Sequence, residues 1–225
     1  MGEAIGAVLP LAIGVAISPL PIIAVVLMLA TPRGRANGPS FILGWVVGLA
    51  AAGTIVLLVS GGAGAAGSGE PATWVDIVKL LLGVALVVLA ARQWRGRPRG
   101  EEAPALPAWM RTIDTVTPVK SAGLGVALSA ANPKNLLITV GGAAAIAQTG
   151  VSAGGEAVAL AVFVVLGTVG PALPLGIYLA LGARSRTLLE GMRTWMAAHN
   201  TAIMAVLLVV IGAKLVGDGI AGLVT

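Results

Sequence analysis

The residues best suited to chemistry in this sequence form one short polar run, "ANPKN" at 131–135, inside an otherwise apolar stretch. A cation such as Lys134 at the centre of a bilayer costs at least about 3 kcal/mol, so its default reading is functional. Pro133 lacks an N–H and is tolerated at the first position of a helix, which makes Asn132 the cap of a new half-helix. The free N–H groups and positive dipole end of such a half-helix suit an anion, and Lys134 has the same preference. Asn132 and Asn135 can donate to the same ligand. The competing reading gives these residues to structure: Lys134 snorkels or pairs with backbone carbonyls to hold a kink, and the asparagines satisfy the broken backbone.

A second interruption, "SPLPI" at 18–22, offers the same device without a charge. Ser18 stands as a cap, Pro19 opens a half-helix and Pro21 follows. Ser129 precedes the charged run much as Ser18 precedes the uncharged one. The candidate substrate-binding set is therefore Ser18, Pro19, Pro21, Ser129, Asn132, Pro133, Lys134 and Asn135, and the ligand it favours is anionic.

The elements that must position this set follow from composition. Of 225 residues, 57% are hydrophobic and only 10% charged, where a soluble domain carries about 25% charge. The mean hydropathy is +0.99. Six apolar runs, at 3–30, 41–60, 74–91, 120–148, 156–181 and 201–219, are each near or above the roughly 20 residues a helix needs to cross a bilayer. They lack the alternation of barrel strands, so the expected fold is an all-α integral membrane protein with six transmembrane helices. The first run carries Glu3 and no Lys or Arg before it, which reads as a retained span rather than a signal peptide.

Charge placement orients the bundle. Arg33 and Arg35 follow the first run; Arg92, Arg95, Arg97, Arg99, Arg111 and Lys120 lie between or at the edges of the third and fourth; Arg184, Arg186 and Arg193 lie between the fifth and sixth. The remaining connections hold only Glu70 and Glu156. The positive-inside rule then puts both termini outside the cytoplasm. The net charge of +5 is thus topogenic, and nucleic acid is not an expected partner.

The chain also resembles itself. "GVAIS" at 14–18 and "GVALS" at 125–129 lie half a chain apart, each inside the first run of its half and each followed by proline. "FILGWVVG" from Phe41 pairs loosely with "FVVLGTVG" from Phe163. Three spans per half is an odd number, so the halves enter the membrane in opposite directions, the 3+3 inverted repeat of many secondary transporters. The expected organisation is one transmembrane domain: repeat one at 1–92, a basic cytoplasmic loop at 93–119 and repeat two at 120–225. Helices 1 and 4 are expected to break near the midplane, where such transporters bind substrate.

Other features have two readings each. Asp76 with Lys79, and Lys214 with Asp218, share helix faces by their spacing; they form an outer gate or headgroup contact, or ordinary interfacial pairs. Gly170, Pro171 and Pro174 interrupt the fifth run as a hinge, or serve close packing, as does "GWVVG" at 44–48. The loop with Trp94 and Trp109 rests on anionic headgroups or is merely topogenic. Zero cysteines exclude thiol chemistry. No metal site, cofactor or ATP-binding loop is expected, and no acid-base pair of an enzyme lies mid-span.

"ISPLPIIAVVLML", "TPRGRANGPSFILGWVVG", "NPKNLL" and "LLVVIGAKLVGDGI" together resemble the GAP/Sap family, the glycopeptidolipid- and sulfolipid-addressing proteins of actinobacteria, within the LysE transporter superfamily. The resemblance covers nearly the whole chain. It implies six helices in the bacterial inner (plasma) membrane and a role in moving cell-envelope glycolipids or their precursors outward. Two alternatives stay open: export of a small soluble solute such as an amino acid, or service as a non-transporting subunit of larger lipid-export machinery. Membrane lipids are expected partners, and small-residue faces are compatible with a homodimer.

Overall fold

The computed structural model describes residues 1–62, 73–96, 113 and 115–224. Among them every regular element is helical: α1 (Gly2–Ala16), α2 (Pro19–Leu29), α3 (Gly34–Gly62), α4 (Thr73–Arg95), α5 (Pro118–Val126), α6 (Pro133–Gln148), α7 (Ala153–Leu181) and α8 (Ser185–Val224). Long apolar sequences give this outcome because a helix pairs its backbone groups within itself. The segments α3 to Ser60, α4, and the helical stretch Ala153–Val224 that contains α7 and α8 are long and apolar enough to cross a membrane. The pair α1 and α2, bent by 50° at its break, is a fourth such segment if counted as one span.

Proline sets both breaks. Pro19 and Pro133 open α2 and α6, each preceded by a residue in extended conformation, Ser18 and Asn132. The second break is wider: a π-helical turn, Ala127–Ala131, lies between α5 and α6. Its sequence origin is simple, since Ser18 directly precedes its proline whereas three residues separate Ser129 from Pro133. A π turn absorbs extra residues without ending the helix.

Packing is reciprocal between the halves. α1 lies against α7, α3 against α5, and α4 against α8. Gly155, Gly167 and Gly170 of α7 face Met1, the cap of α1, and Val15 and Ala16 at its end, so these helices run parallel. Gly44 and Gly48 of α3 face Ala122 and Val126 of α5, also in parallel. Gly83 of α4 meets Gly212 and Val216 of α8, and Asp76 meets Gly222, an antiparallel crossing. Glycine is needed where backbone meets backbone: a methyl at Gly44 would enter the Ala122 carbonyl, and one at Gly170 the Ala16 carbonyl. Gly48 and Gly170 occupy matching places in the two "F…G" segments, and each abuts the opposite half just before its break.

Trp45 and Phe41 are fully buried and stacked, with ring centroids 6.2 Å apart. Trp45 Nε1 donates to the Gly167 carbonyl at 3.3 Å. That carbonyl is free because its usual partner four residues on is Pro171, which has no N–H. The Gly170, Pro171 and Pro174 segment therefore leaves α7 unbroken, with both prolines inside the helix and buried.

Two connections are more helical than their charge suggests. The arginine-bearing segment before residue 201 is the first part of α8, held by the Glu190–Arg193 pair and by Trp195 stacked on His199 with centroids 4.6 Å apart. α3 likewise begins at Gly34, before the apolar run proper. At this end Asn37 Nδ2 donates to the Val116 carbonyl at 3.0 Å, and Ser121 Oγ to the Asn37 carbonyl at 2.7 Å, tying α3 to the start of α5. Arg33, Arg35, Arg92, Arg95, Lys120, Arg184, Arg186 and Arg193 all fall at this end of the bundle. The rest of the loop at 93–119, with Arg97, Arg99, Trp109 and Arg111, lies outside the described residues, as does the connection at 63–72.

Candidate substrate site at the joined helix breaks

The two breaks meet. Lys134, on the first turn of α6, is 4% exposed, and its ammonium donates to the Gly14 carbonyl at 2.8 Å and to Ser18 Oγ at 2.6 Å. Gly14 lies in the last turn of α1, whose free carbonyls form the negative end of the helix dipole, so a cation is favoured there. Ser18 Oγ donates onward to Asn135 Oδ1 at 3.2 Å, and Asn135 Nδ2 donates to the Leu128 carbonyl in the π turn at 2.9 Å. The chain of bonds runs from the end of α1 through both breaks. Among the described residues no carboxylate lies within ion-pair distance of Lys134.

The caps divide their labour. Asn132 Oδ1 accepts from the Lys134 backbone N–H at 3.1 Å, the expected cap of α6. Ser18 occupies the cap position of α2, but its side chain makes no capping bond. It is drawn across to Lys134 and Asn135 instead, a charge-assisted bond being stronger than a neutral one.

The other members of the sequence-derived set are placed differently. Pro19 and Pro21 are buried in α2, while Pro133 is exposed. Ser129, fully buried, bonds locally to the Val126 carbonyl at 3.1 Å and sits against Gly48 of α3 rather than beside Lys134. The joined site thus contains Ser18, Asn132, Lys134 and Asn135. Backbone carbonyls of Gly14 and Leu128 complete it, and no sequence signal marks a carbonyl as an acceptor.

The family model for Sap, sulfolipid-1-addressing protein, matches residues 8–221. The chain belongs to the Sap family. No curated protein and no solved structure matches it significantly. Sap membership suggests a role in lipid export or addressing, and the apolar helices are compatible with a membrane protein.

At the far end of this Sap chain, α4, α6 and α8 form a second polar cluster. Asp76 and Lys79 are 2% and 8% exposed, 3.9 Å apart. Gln148, at the end of α6, donates to Asp76 Oδ1 at 2.7 Å and accepts from Lys79. Lys214 and Asp218 pair on α8, which brings Gly222 against the Asp76 carboxylate. Sequence spacing finds both ion pairs but misses Gln148, whose role depends on where the break in the 118–148 segment aims the end of α6. Among the described residues no His, Cys, Asp and Glu group could hold a metal.

Proposed function

We propose that this Sap protein is an inner-membrane transporter, a flippase-like facilitator that moves an anionic cell-envelope lipid or precursor outward by alternating access. One observation carries the reading: the ammonium of Lys134 is buried where the breaks of both halves meet, with only neutral partners. A buried charge without a counter-charge is costly. A phosphate or sulfate headgroup supplies that counter-charge.

The mechanism follows from what Lys134 already holds. In this arrangement two of its three donors are held by Gly14 and Ser18, pinning the end of α1 to the start of α6. Headgroup oxygens compete for the same donors. When they win, the last turn of α1 is released and the bend between α1 and α2 is free to change. Only such differential contact lets a ligand shift a conformational equilibrium. The protein acts as a carrier rather than an enzyme; its single histidine, His199, stacks on Trp195 at the basic end.

Six crossings fit this role, with α1–α2 and the 118–148 segment as broken spans beside α3, α4, α7 and α8. The reciprocal packing of α1 on α7 and α3 on α5 supports two inverted sets of three, an arrangement that puts sites at the repeat interface. Arginines gathered at one end support a cytoplasmic face there, with both termini outside. The LysE-superfamily resemblance agrees with a transporter.

Liposomes holding the purified protein and a headgroup-labelled lipid test the proposal. Phosphatidylglycerol is expected to cross between leaflets faster than in empty liposomes, and phosphatidylcholine is not. If neither lipid moves while cells lacking the protein lose a surface lipid, the accessory role replaces transport.

A further inference from the structure

The basic end of the bundle holds two adjoining cavities that the central site does not use. The smaller, of about 260 Å³, is lined by Arg35 of α3, Tyr178 and Leu179 of α7, Gly182 and Ala183 of the turn, and Arg186 of α8. The larger, of about 560 Å³, shares Tyr178 and Arg186 and reaches inward to Val26, Leu29 and Leu189, all buried. Gly182, at φ +53°, makes the turn that brings the start of α8 back beside α7. A left-handed backbone there is natural only to glycine.

Charge in these cavities is one-sided. The smaller cavity is lined by two arginines and no acid. Glu190 lines the larger one, but its carboxylate is bonded by Arg193 on the same helix. Two guanidiniums drawn to one concavity from different helices repel each other. An anion between them replaces the repulsion with charge-assisted bonds, and the planar guanidinium fork matches phosphate and sulfate oxygens. Tyr178 lines both cavities and brings a hydroxyl-bearing side chain to them. The larger cavity leaves room for a second part of the ligand: about 560 Å³ is more than a free anion fills, and its inner end at Val26, Leu29 and Leu189 is apolar, as an acyl chain requires.

We propose that Arg35 and Arg186, with Tyr178, form a headgroup site for a phosphate- or sulfate-bearing lipid, whose chain lies against Val26, Leu29 and Leu189. This rests on the reading that the substrate is an anionic lipid, and it names where that lipid is taken up before it reaches Lys134. It is separate from the central site in residues and in position.

The test is lipid retention by the purified full chain, read by native mass spectrometry with phosphatidylglycerol and phosphatidylcholine offered together. Wild type is expected to retain phosphatidylglycerol preferentially. R35Q/R186Q is expected to lower that retention at least about tenfold, the scale of losing charge-assisted bonds. The double variant R33Q/R184Q removes the same charge from the same end but touches neither cavity, and should retain lipid like wild type. Soluble glycerol phosphate should not displace the lipid. The proposal is overturned by equal loss in both double variants, by unchanged retention in R35Q/R186Q, by absence of any preference in wild type, or by displacement with glycerol phosphate. Retention is read without transport, so intact retention with failed translocation strikes the transport reading and leaves this site standing.

Discussion

The two helix breaks occupy matching places in the halves, yet they are built for opposite tasks. The first, at Ser18–Pro19, is tight, uncharged and offers acceptors: the Gly14 carbonyl and the Ser18 hydroxyl. The second, at Asn132–Pro133, is widened by a π turn and offers the donor, Lys134. Two breaks of identical sequence would put acceptor against acceptor or cation against cation where they meet. Their difference makes the breaks complementary, and in the proposed mechanism a headgroup displaces the bonds that join them.

The comparison breaks most sharply at its donor. Lys134→Ala leaves two buried acceptors unmet and a cavity behind, offset in part by loss of the uncompensated buried charge, and should cost about 2–4 kcal/mol, read as a lowered melting temperature of the purified protein in detergent. A change within error would mean that the two breaks are not joined through this side chain. Next come the glycines that let the halves approach. Gly44→Ala drives a methyl into the Ala122 carbonyl and should cost about 1–3 kcal/mol. Gly123, on α5 with nothing near its missing side chain, is the internal control: Gly123→Ala should stabilise by up to about 1 kcal/mol, because alanine favours helix. Equal melting shifts for the two would refute the close parallel packing of α3 on α5.

The serines sharpen the contrast further. Ser18→Ala removes a shared hydroxyl from Lys134 and Asn135 and should cost about 1–2 kcal/mol. Ser129→Ala removes only a local bond to the Val126 carbonyl and should cost less than about 1 kcal/mol. Thermal melts in which Ser129→Ala costs as much as Ser18→Ala would restore the symmetric reading in which both serines face one ligand.

Much of this was legible in the sequence, for identifiable reasons. Proline after Ser or Asn inside an apolar run marks a break wherever it falls, so both breaks and the capping role of Asn132 could be read directly. Lys134 stood out because hydrocarbon makes any charge conspicuous. Ser129 matches Ser18 in the sequence but not in place: it lies within the π turn Ala127–Ala131, with three residues between it and Pro133, and faces Gly48. The matching serines mislead because a break, unlike a continuous helix, does not fix where the side chains beside it point. Gln148 and the Gly14 and Leu128 carbonyls were illegible for another reason. They act through where a bent segment aims its end, and no local pattern encodes that. In α7, Pro171 was legible as an interruption but not as the residue that frees Gly167 for Trp45.

The central claim is that the cation joining the two breaks also receives the headgroup, and Lys134→Met tests it most directly because it keeps most of the unbranched side chain while removing the ammonium, its charge and its donors together. The measurement is translocation of headgroup-labelled phosphatidylglycerol in liposomes, alongside a melting curve on the same preparation. The account predicts a folded protein whose translocation falls to that of empty liposomes. A folded Lys134→Met protein that moves the lipid at the wild-type rate would contradict it.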